Sequence, residues 1–209
     1  MRRRSALISG IAALASGAAA LIYAFWWRKH PSACPYGLHV LIELPRPFLT
    51  RARLRGILTP QPGERVLEVG PGTGYYSLRV AEWLRPGGTL YVLDIQQLML
   101  DHLMRRAKER GVENIVPTMA DARDLPYSDD NFDAAYLTLV LGEIPDQDAA
   151  LSELRRVLKP GGHLVVGELF PDFHMVPFRT LQKRAEAVGF RFERRLGSAL
   201  GYFARFRAS

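Results

Sequence analysis

The chain has 209 residues, 48% of them apolar, which fits one folded domain with a real core and an appendage. Cys34 is its single cysteine, which excludes an intrachain disulfide and a cysteine-based metal cluster. The formal net charge of +7 is concentrated at one end. Residues 1–60 contain nine Lys or Arg against one acid, whereas residues 61–209 contain nineteen against twenty. This near-neutral remainder argues against a nucleic-acid partner.

Residues 6–27 form a run of 22 residues without a charge, closed by two tryptophans and followed by a basic pair. As a helix with a rise of ~1.5 Å per residue, this run covers roughly the ~30 Å hydrocarbon core of a bilayer. A cleaved signal peptide, a spanning anchor and a helix that dips into one leaflet are the three alternatives. Because the apolar run continues past the small residues Ala18–Ala20, we expect an uncleaved membrane anchor over residues 1–30.

Residues 31–59 form a linker and bridge that is punctuated by prolines. Within it, Phe48–Leu58 places leucine and isoleucine among arginines, which predicts a basic amphipathic helix that ends before Pro60. Such a helix lies either on a membrane surface or against the folded domain, where it would serve as a lid. Residues 1–58 are therefore the expected contact with membrane lipids. His39 in this bridge is most simply a packing or interfacial residue.

Residues 60–209 are expected to form the catalytic domain, because strand patterns alternate regularly with helix patterns. This alternation predicts a Rossmann-like α/β fold with a seven-stranded, mostly parallel sheet. Too few residues separate the last two strands for a crossover helix, so one antiparallel strand is expected at or near the edge. The predicted strands are Arg65–Val69, Thr89–Leu93, Ile115–Thr118, Phe132–Leu137, His163–Glu168, Phe190–Leu196 and Tyr202–Arg207, and the predicted helices are Tyr76–Trp83, Leu98–Arg110, Ala149–Leu158 and Pro177–Ala187.

Three glycines, Gly70, Gly72 and Gly74, follow the first strand and precede a helix. Glycine lets the backbone turn tightly and approach a ligand closely, and a strand, glycine turn and helix N-terminus is typical of a nucleotide-type site. Asp94 ends the second strand 20 residues after Gly74, where an acid accepts both ribose hydroxyls or caps the next helix. The spacing departs from the dinucleotide fingerprint, since Tyr75 stands where a small residue is needed, and no P-loop lysine follows.

Five motifs in register resemble those of the class I S-adenosylmethionine-dependent methyltransferases, nearest to their quinone- and sterol-type, UbiE-like branch. The resemblance covers roughly residue 60 to the end of the sequence. The anchor and the segment Thr138–Leu141 are also similar to membrane-anchored thiol methyltransferases. The segments that carry the family resemblance are Val66–Gly74, Asp94, Ala120–Ala122, Asp130–Ala134 and Leu154–Gly162.

The resemblance implies S-adenosyl-L-methionine as the cofactor. Within the family pattern, Asp94 would bind the ribose, Asp121 would accept a hydrogen bond from the adenine amine, and residues 138–143 would line the methyl site. The cofactor-binding residues that it implies are Glu68, Gly70, Gly72, Gly74, Asp94, Asp121, Ala122 and Thr138.

A sulfonium methyl group is already activated, so catalysis would consist mostly of positioning the acceptor and excluding water. A base is needed only if the acceptor must lose a proton. Glu143 and His174 are the expected catalytic candidates, and Glu143 and Glu168 follow adjacent strands and could both face the acceptor. Each acid is equally able to serve as a helix cap or a surface group. No metal is expected.

The sequence therefore predicts a membrane-anchored methyltransferase with a small lipophilic acceptor that is quinone-, lipid- or thiol-like. A cytosolic cofactor would place the catalytic domain on the cytoplasmic side of the membrane. The apolar side chains after the fifth strand either wall the acceptor pocket or face the core; they are Phe170, Phe173, Met175, Val176 and Phe178. Two alternatives stay open: a non-catalytic membrane-tethered scaffold of the same fold, and a nicotinamide-dependent oxidoreductase. The acceptor atom is undetermined among carbon, oxygen, nitrogen and sulfur.

Overall fold

The computed structural model of the chain describes residues 31–43 and 46–209. The predicted anchor over residues 1–30 lies outside the described residues. Among the residues that are described, no helix is both long enough and apolar enough to cross a membrane.

One seven-stranded sheet organises the described chain, with the strand order β3-β2-β1-β4-β5-β7-β6. The first five strands pair in parallel, whereas β7 runs antiparallel to both of its neighbours. The predicted mostly parallel α/β sheet with an antiparallel C-terminal strand is thus confirmed. The strands are β1 Arg65–Val69, β2 Thr89–Asp94, β3 Ile115–Met119, β4 Phe132–Thr138, β5 Leu158–Leu169, β6 Phe190–Ser198 and β7 Gly201–Ala208.

Helices cover both faces of this sheet, and two short 3-10 turns accompany them at Tyr36–Leu38 and Leu141–Glu143. The cores on the two faces hold different helices. Helices α2, α3 and α4 pack on one face, and α5 and α6 pack on the other. The described helices are α1 His39–Ile42, α2 Arg51–Leu58, α3 Ser77–Trp83, α4 Gln97–Glu109, α5 Gln147–Val157 and α6 Phe178–Ala187.

The central strands have apolar side chains on both faces, which is why they read as continuous apolar runs. In β4, Ala134 and Tyr136 enter the core under α2, α3 and α4, whereas Ala135 and Leu137 enter the core under α5 and α6. Successive side chains of a strand point to opposite faces, so each strand contributes to both cores. Parallel strands also end at the same edge of the sheet, which gathers the residues after β1, β2 and β4 at one place.

The bridge helix α2 packs its apolar face on the domain. Leu54, Ile57 and Leu58 are fully buried, and the Thr50 hydroxyl caps the N-terminus by accepting from Arg53 N at 3.2 Å. The sequence left two placements for this helix, on a membrane surface or against the folded domain. The burial of its apolar face shows that it packs against the domain. Arg53 and Arg55 of α2 are exposed, whereas Arg51 Nε donates to the Tyr75 carbonyl oxygen at 3.0 Å.

The boundary between α5 and β5 differs from the prediction. The predicted helix Ala149–Leu158 in fact begins at Gln147, after the capping side chain of Asp146, and ends at Val157. Leu158 already pairs with Phe132, and the register then shifts before Ala134 pairs with His163. Residues 159–162 are therefore accommodated within β5, at an irregularity in the pairing. Only the partner strand determines this, so the local sequence could not indicate it.

A buried histidine links β5 to the end of α2. His163 Nε2 lies 2.7 Å from the Leu58 carbonyl oxygen, to which it donates. Burial lowers the pKa of His163 to about 4, and the nearby Arg205 guanidinium adds to this effect. The imidazole is therefore neutral in the folded protein at pH 7, and its protonation opposes folding.

We predict that His163 makes the folded state less stable in acid. Its pKa is about 4 when folded and near 6.5 when unfolded, so its contribution is complete above pH 6.5 and is lost as the pH falls towards 4. The loss is on the order of 3 kcal/mol. Urea unfolding at several pH values should show a smaller loss between pH 6.5 and 4 for His163→Gln than for the wild type. Parallel curves for the two proteins would contradict the prediction.

Candidate active site

The three loop glycines all adopt positive φ angles, at +67° for Gly70, +53° for Gly72 and +88° for Gly74. Gly70 N donates to the Leu93 carbonyl oxygen at 2.8 Å, which fastens the loop to the end of β2. A Cβ atom on Gly70 would collide with the side chain of Val140. The loop therefore depends on glycine both for its backbone conformation and for its close contact with the segment after β4.

Asp94 ends β2 directly beside this loop. Its carboxylate accepts from Gln96 N at 2.9 Å and from the backbone N–H groups of Gly72 and Ile95. Burial raises the pKa of Asp94, and these three donors oppose the rise. The structure thus places the predicted ribose ligand against the glycine loop, with its carboxylate already oriented.

Beyond Asp94 lies an apolar surface that sequence reasoning missed. Ile95, Leu98 and Met119 are each more than half exposed, at the carboxyl ends of β2 and β3. Exposed apolar side chains beside a polar site suit a flat apolar ligand group such as an adenine ring. Leu98 begins the predicted helix, and the structure leaves it on this open side. The signal that could have found the surface is the apolar residue directly after Asp94.

The Asp121 carboxylate is occupied by its own loop. Arg123 donates from Nε at 3.0 Å and from Nη2 at 2.7 Å, and its backbone N adds a third bond at 2.9 Å. These donors hold the pKa of Asp121 below its usual value. Ala122 beside it is buried. The adenine role of Asp121 and Ala122 stays a prediction, and it requires the carboxylate to serve a second donor besides Arg123.

Two buried polar side chains from β1 and β4 lie near the centre of this edge. Burial raises the pKa of Glu68 to about 7, against the hydroxyls of Ser77 and Tyr136, which favour the carboxylate. Thr138 is buried, and its Oγ1 finds no hydrogen-bond partner within the described part of the chain. The next residue, Leu139, has φ +60°, a conformation that is uncommon for a residue with a branched side chain and that concentrates at functional sites.

Residues 31–43, called the strap below, cross the same edge of the sheet. Cys34 N donates to Glu143 Oε2 at 3.2 Å. The amide of Gln96 binds the strap twice, since it donates to the Cys34 carbonyl at 2.9 Å and accepts from Tyr36 N at 3.2 Å. The strap therefore connects the end of β2 to the turn that follows β4.

The far end of the strap is held by α4. Arg106 Nη1 lies 3.2 Å from Glu43 Oε1 and also donates to the Thr73 carbonyl of the glycine loop at 2.8 Å. His39 stacks on Tyr36 with ring centroids 4.8 Å apart. These packing contacts agree with the structural interpretation of His39.

Arg46 is the functional candidate that the sequence analysis missed. Its guanidinium carbon lies 5.0 Å from the ring centroid of Tyr75 and 5.4 Å from that of Tyr76. Its charge opposes the pKa rise that burial causes at Tyr76, Glu68 and Asp172. A cation therefore lies over the end of the glycine loop, among buried acidic groups.

Three acids form a cluster at the ends of β4 and β5: Glu143 in the turn after β4, Glu168 near the end of β5, and Asp172 after β5. Burial raises the pKa of Glu143 to about 8, and the charge of Asp172 adds to the rise. Burial also raises the pKa of Glu168 well above its usual value; its Oε2 accepts from Val176 N at 3.1 Å, and its Oε1 has no partner among the described residues. No group of three or more acids, histidines or cysteines within residues 31–43 and 46–209 is arranged to hold a metal ion.

His174 lies at the same edge as Glu143, the other predicted catalytic residue. Its backbone N donates to Asp172 Oδ1 at 2.8 Å. The His174 carbonyl packs so tightly on Gly142 that a Cβ there would collide with it. The structure thus brings the neighbourhoods of both catalytic candidates together, and their catalytic roles stay predictions.

This edge fits S-adenosylmethionine in its chemistry. Asp94 offers a carboxylate for two ribose hydroxyls, and Ile95 and Met119 offer apolar surface for a ring. The loop backbone and Arg46 lie where a charged amino-acid group has partners. The cofactor is a cation, which would stabilise the ionised forms of the buried carboxyl groups Glu68, Glu143 and Asp172 at this edge.

Solved structures share the fold of this chain. The chain matches the structure titled as a SAM dependent methyltransferase from Aquifex aeolicus with a TM-score of 0.78 and 18% identity, covering 85% of this chain and all of that one. The trans-methyltransferase CalH in complex with SAH matches with a TM-score of 0.64 and 23% identity over 76% of this chain and 55% of that one. The [4+2]-cyclase SpnF matches with a TM-score of 0.68 and 24% identity over 75% and 78%. At these identities the likeness shows a shared fold.

Sequence relatives identify the family. The chain is 34% identical over 138 residues to the ubiquinone/menaquinone biosynthesis C-methyltransferase UbiE of Vibrio vulnificus (strain YJ016), which is 66% of this chain and 52% of that protein. The UbiE protein of Shewanella sp. (strain ANA-3) is 32% identical over 137 residues, 61% and 55% of the two chains. This chain thus spans about half the length of these curated relatives.

The model of the ubiE/COQ5 methyltransferase family matches residues 41–183, and the chain belongs to that family. The predicted membership of the class I S-adenosylmethionine-dependent methyltransferases is confirmed, and with it the cofactor class. Membership in a methyltransferase family also decides against the nicotinamide-dependent alternative.

We predict that Asp94 and Arg46 hold opposite ends of the cofactor. Asp94→Ala should lower the affinity for S-adenosylmethionine and for 5′-methylthioadenosine alike, by about 100-fold, because both ligands carry the ribose. Arg46→Gln should lower the affinity for S-adenosylmethionine about tenfold and leave the affinity for methylthioadenosine unchanged, because only S-adenosylmethionine has the carboxylate. Isothermal titration calorimetry on both ligands measures this.

The matched control is Arg53→Gln, which removes an exposed arginine from the same bridge and should change neither affinity. If Arg46→Gln lowered the affinity for both ligands equally, Arg46 would have a structural role instead.

Proposed function

We propose that this chain is an S-adenosylmethionine-dependent methyltransferase that methylates a small lipophilic acceptor of the hydroquinone or phenol type, at carbon. The observation that carries the proposal is Glu143, a half-buried carboxyl group with a pKa of about 8 in the turn that follows β4, near Asp94. The names of the relatives, quinone-biosynthesis C-methyltransferases, support the acceptor class.

Carbon methylation needs a group that removes a proton. A bound cofactor would supply an electrophilic methyl group: the new carbon–carbon bond forms as the methyl–sulfur bond breaks, and that electron pair stays on sulfur. The ring carbon then loses its proton. A phenol first gives up its hydroxyl proton and regains one on oxygen when the ring proton leaves, so the net loss is one proton, carried away by a base. Glu143 in its ionised form accepts that proton. Burial and the charge of Asp172 make this carboxylate more basic than an exposed one, while Cys34 N orients one of its oxygens.

A lipophilic acceptor is supported by the surroundings of Glu143. Val140 is half-buried and Leu141 is fully buried, and both belong to the segment that connects β4 to α5. The strap covers the carboxylate from the other side through Cys34. Apolar side chains flank this carboxylate and shield it from water. Such a site favours a lipophilic substrate, which binds by moving from water into apolar surroundings.

Membrane attachment is part of the proposal and is supported by the sequence alone. The uncharged run 6–27 has the length of a spanning helix, and the basic residues concentrate in residues 1–60. With an anchor there, the catalytic domain would lie on the cytoplasmic side, where the cofactor is made.

We expect transfer of the labelled methyl group to one lipid-soluble product. The purified chain should be incubated with methyl-labelled S-adenosylmethionine and total membrane lipid, and the labelled product identified by mass spectrometry. A mass increase of one methyl group on a phenolic or quinol ring carbon is the expected result. Saturable cofactor binding without product on any lipid extract would favour the non-catalytic scaffold, and the cyclase neighbour shows why the fold alone does not decide this.

The role of Glu143 predicts the pH dependence of this reaction. The ionised carboxylate is the active form, so the single-turnover rate should rise about tenfold per pH unit below the pKa and level off near pH 8. The cation of the bound cofactor moves the plateau towards lower pH, because it stabilises the carboxylate. Glu143→Gln should be slower by about 100-fold or more, and its profile should be flat. Glu153→Gln on α5 is the matched control and should keep the wild-type pH profile. If Glu143→Gln also kept the wild-type pH profile, Glu143 would not be the base.

We predict that a protein of residues 1–209 resists extraction from membranes by alkaline carbonate, whereas residues 31–209 do not. A spanning helix is held by its burial in hydrocarbon, while surface contacts are broken by high pH. Release of the protein of residues 1–209 into the carbonate supernatant, detected by immunoblot, would contradict an anchor in residues 1–30.

A further inference from the structure

Three large apolar side chains are exposed together at the carboxyl edge of β5 and the turn between β6 and β7. They are Phe170 at 60%, Leu200 at 53% and Phe173 at 49% exposure, and they are called the mouth patch below. Phe170 N donates to the Leu200 carbonyl at 2.9 Å, so the two loops that carry these side chains are joined by the backbone. Of the two alternatives drawn from the sequence, the core accounts for Val176 and for Met175 and Phe178, which pack against it, whereas Phe170 and Phe173 are exposed.

The mouth patch borders the proposed acceptor site. Asp172 lies between Phe170 and Phe173 in the chain, and its charge acts on both the Glu143 carboxyl group and the Cys34 thiol. The patch is therefore next to the acid cluster and the strap, on the side where an acceptor would enter. Exposed apolar patches at the rim of a site typically mark a contact with a partner or a membrane.

A basic flank accompanies the mouth patch. Phe48 packs directly on Gly201, where a Cβ would lie 2.6 Å from Phe48 Cβ. The exposed Arg53 of α2 donates from Nη1 to the Phe48 carbonyl at 3.0 Å. This places Arg53 beside the turn that carries Leu200. Apolar side chains flanked by arginines are complementary to an anionic lipid surface.

We propose that the mouth patch inserts into the anionic membrane surface, with Arg53 among the lipid headgroups, so that the acceptor passes from the lipid into the site without crossing water. The proposal rests on the proposed lipophilic acceptor and names its route of entry. Three side chains bury too little area for a stable contact with a second copy of the chain. The charge of α2 favours a lipid surface over an apolar protein partner.

The uncharged run 6–27 is followed closely in the sequence by the strap, which lies next to the mouth patch. It stops four residues before Pro31, and Cys34 of the strap contacts Glu143. An anchor there would hold the domain with this edge towards the bilayer.

A fluorescent label measures the insertion directly. In a Cys34→Ala background, Leu200→Cys carries an environment-sensitive dye, and full-length protein is reconstituted into vesicles of phosphatidylcholine and phosphatidylglycerol that contain a spin-labelled quencher lipid. The control is Glu113→Cys, an exposed position at the amino edge of the sheet. We expect at least a threefold greater quenching at position 200 than at position 113.

Two outcomes overturn the proposal. Equal quenching at positions 200 and 113 would show that the patch is outside the lipid. A dye at position 200 that is shielded from water but insensitive to the lipid quencher would show that residues 6–27 or a second copy cover the patch instead.

Acceptor delivery gives a second readout. Leu200→Ser with Phe173→Ser should raise the KM for an acceptor dissolved in vesicles by about fivefold or more, because the domain docks less well. The KM and kcat for a short-chain, water-soluble acceptor should not change. The matched control is Val116→Ser, an exposed apolar residue on β3 far from the opening. If the variant lost activity equally on both acceptors, the patch would serve folding and not membrane docking. Absence of any methyl transfer by the wild type would instead refute the proposed function.

Discussion

The close approach of three strand ends at Gly70 is the constraint on which the site depends. Its backbone N is bonded to the end of β2, and its missing Cβ leaves room for Val140 after β4. Any side chain at this position would separate the loop from both neighbours. The approach brings Asp94, Thr138 and Glu143 to one edge, although they come from different segments of the chain.

Burial of carboxyl groups gives this edge its electrostatic character. Glu68, Glu143 and Glu168 all have raised pKa values, and burial is the largest cause in each case. Buried acids destabilise a fold unless a proton, a donor or a cation compensates them. Arg46 supplies part of that compensation at the Glu68 side. A cationic ligand would supply more, so the same acids that strain the ligand-free domain favour the binding of a sulfonium compound.

The strap and the bridge helix α2 connect the site to the proposed membrane surface. The strap is bonded to Gln96 and Glu143, on opposite sides of the glycine loop, and therefore encloses the edge rather than extending from it. Helix α2 is fixed by its own buried leucines and by Arg205 of β7, which donates to the Ile57 carbonyl at 3.0 Å. A rigid attachment of both segments means that orientation of the domain on a membrane also orients the opening of the site.

The sequence by itself determined the parallel sheet, the order of its elements and the position of Asp94 beside the glycines. Those features follow from local apolar periodicity, and parallel strands necessarily end at one edge. It could not determine that Arg123 occupies Asp121, that Ile95 and Met119 stay exposed, or that Arg46 lies over Tyr75. Nor could it show Gln96 and Cys34 meeting across 62 positions of the chain. Only the tertiary structure decided these contacts, because they depend on packing between distant segments, which leaves no periodic signal in the residues themselves.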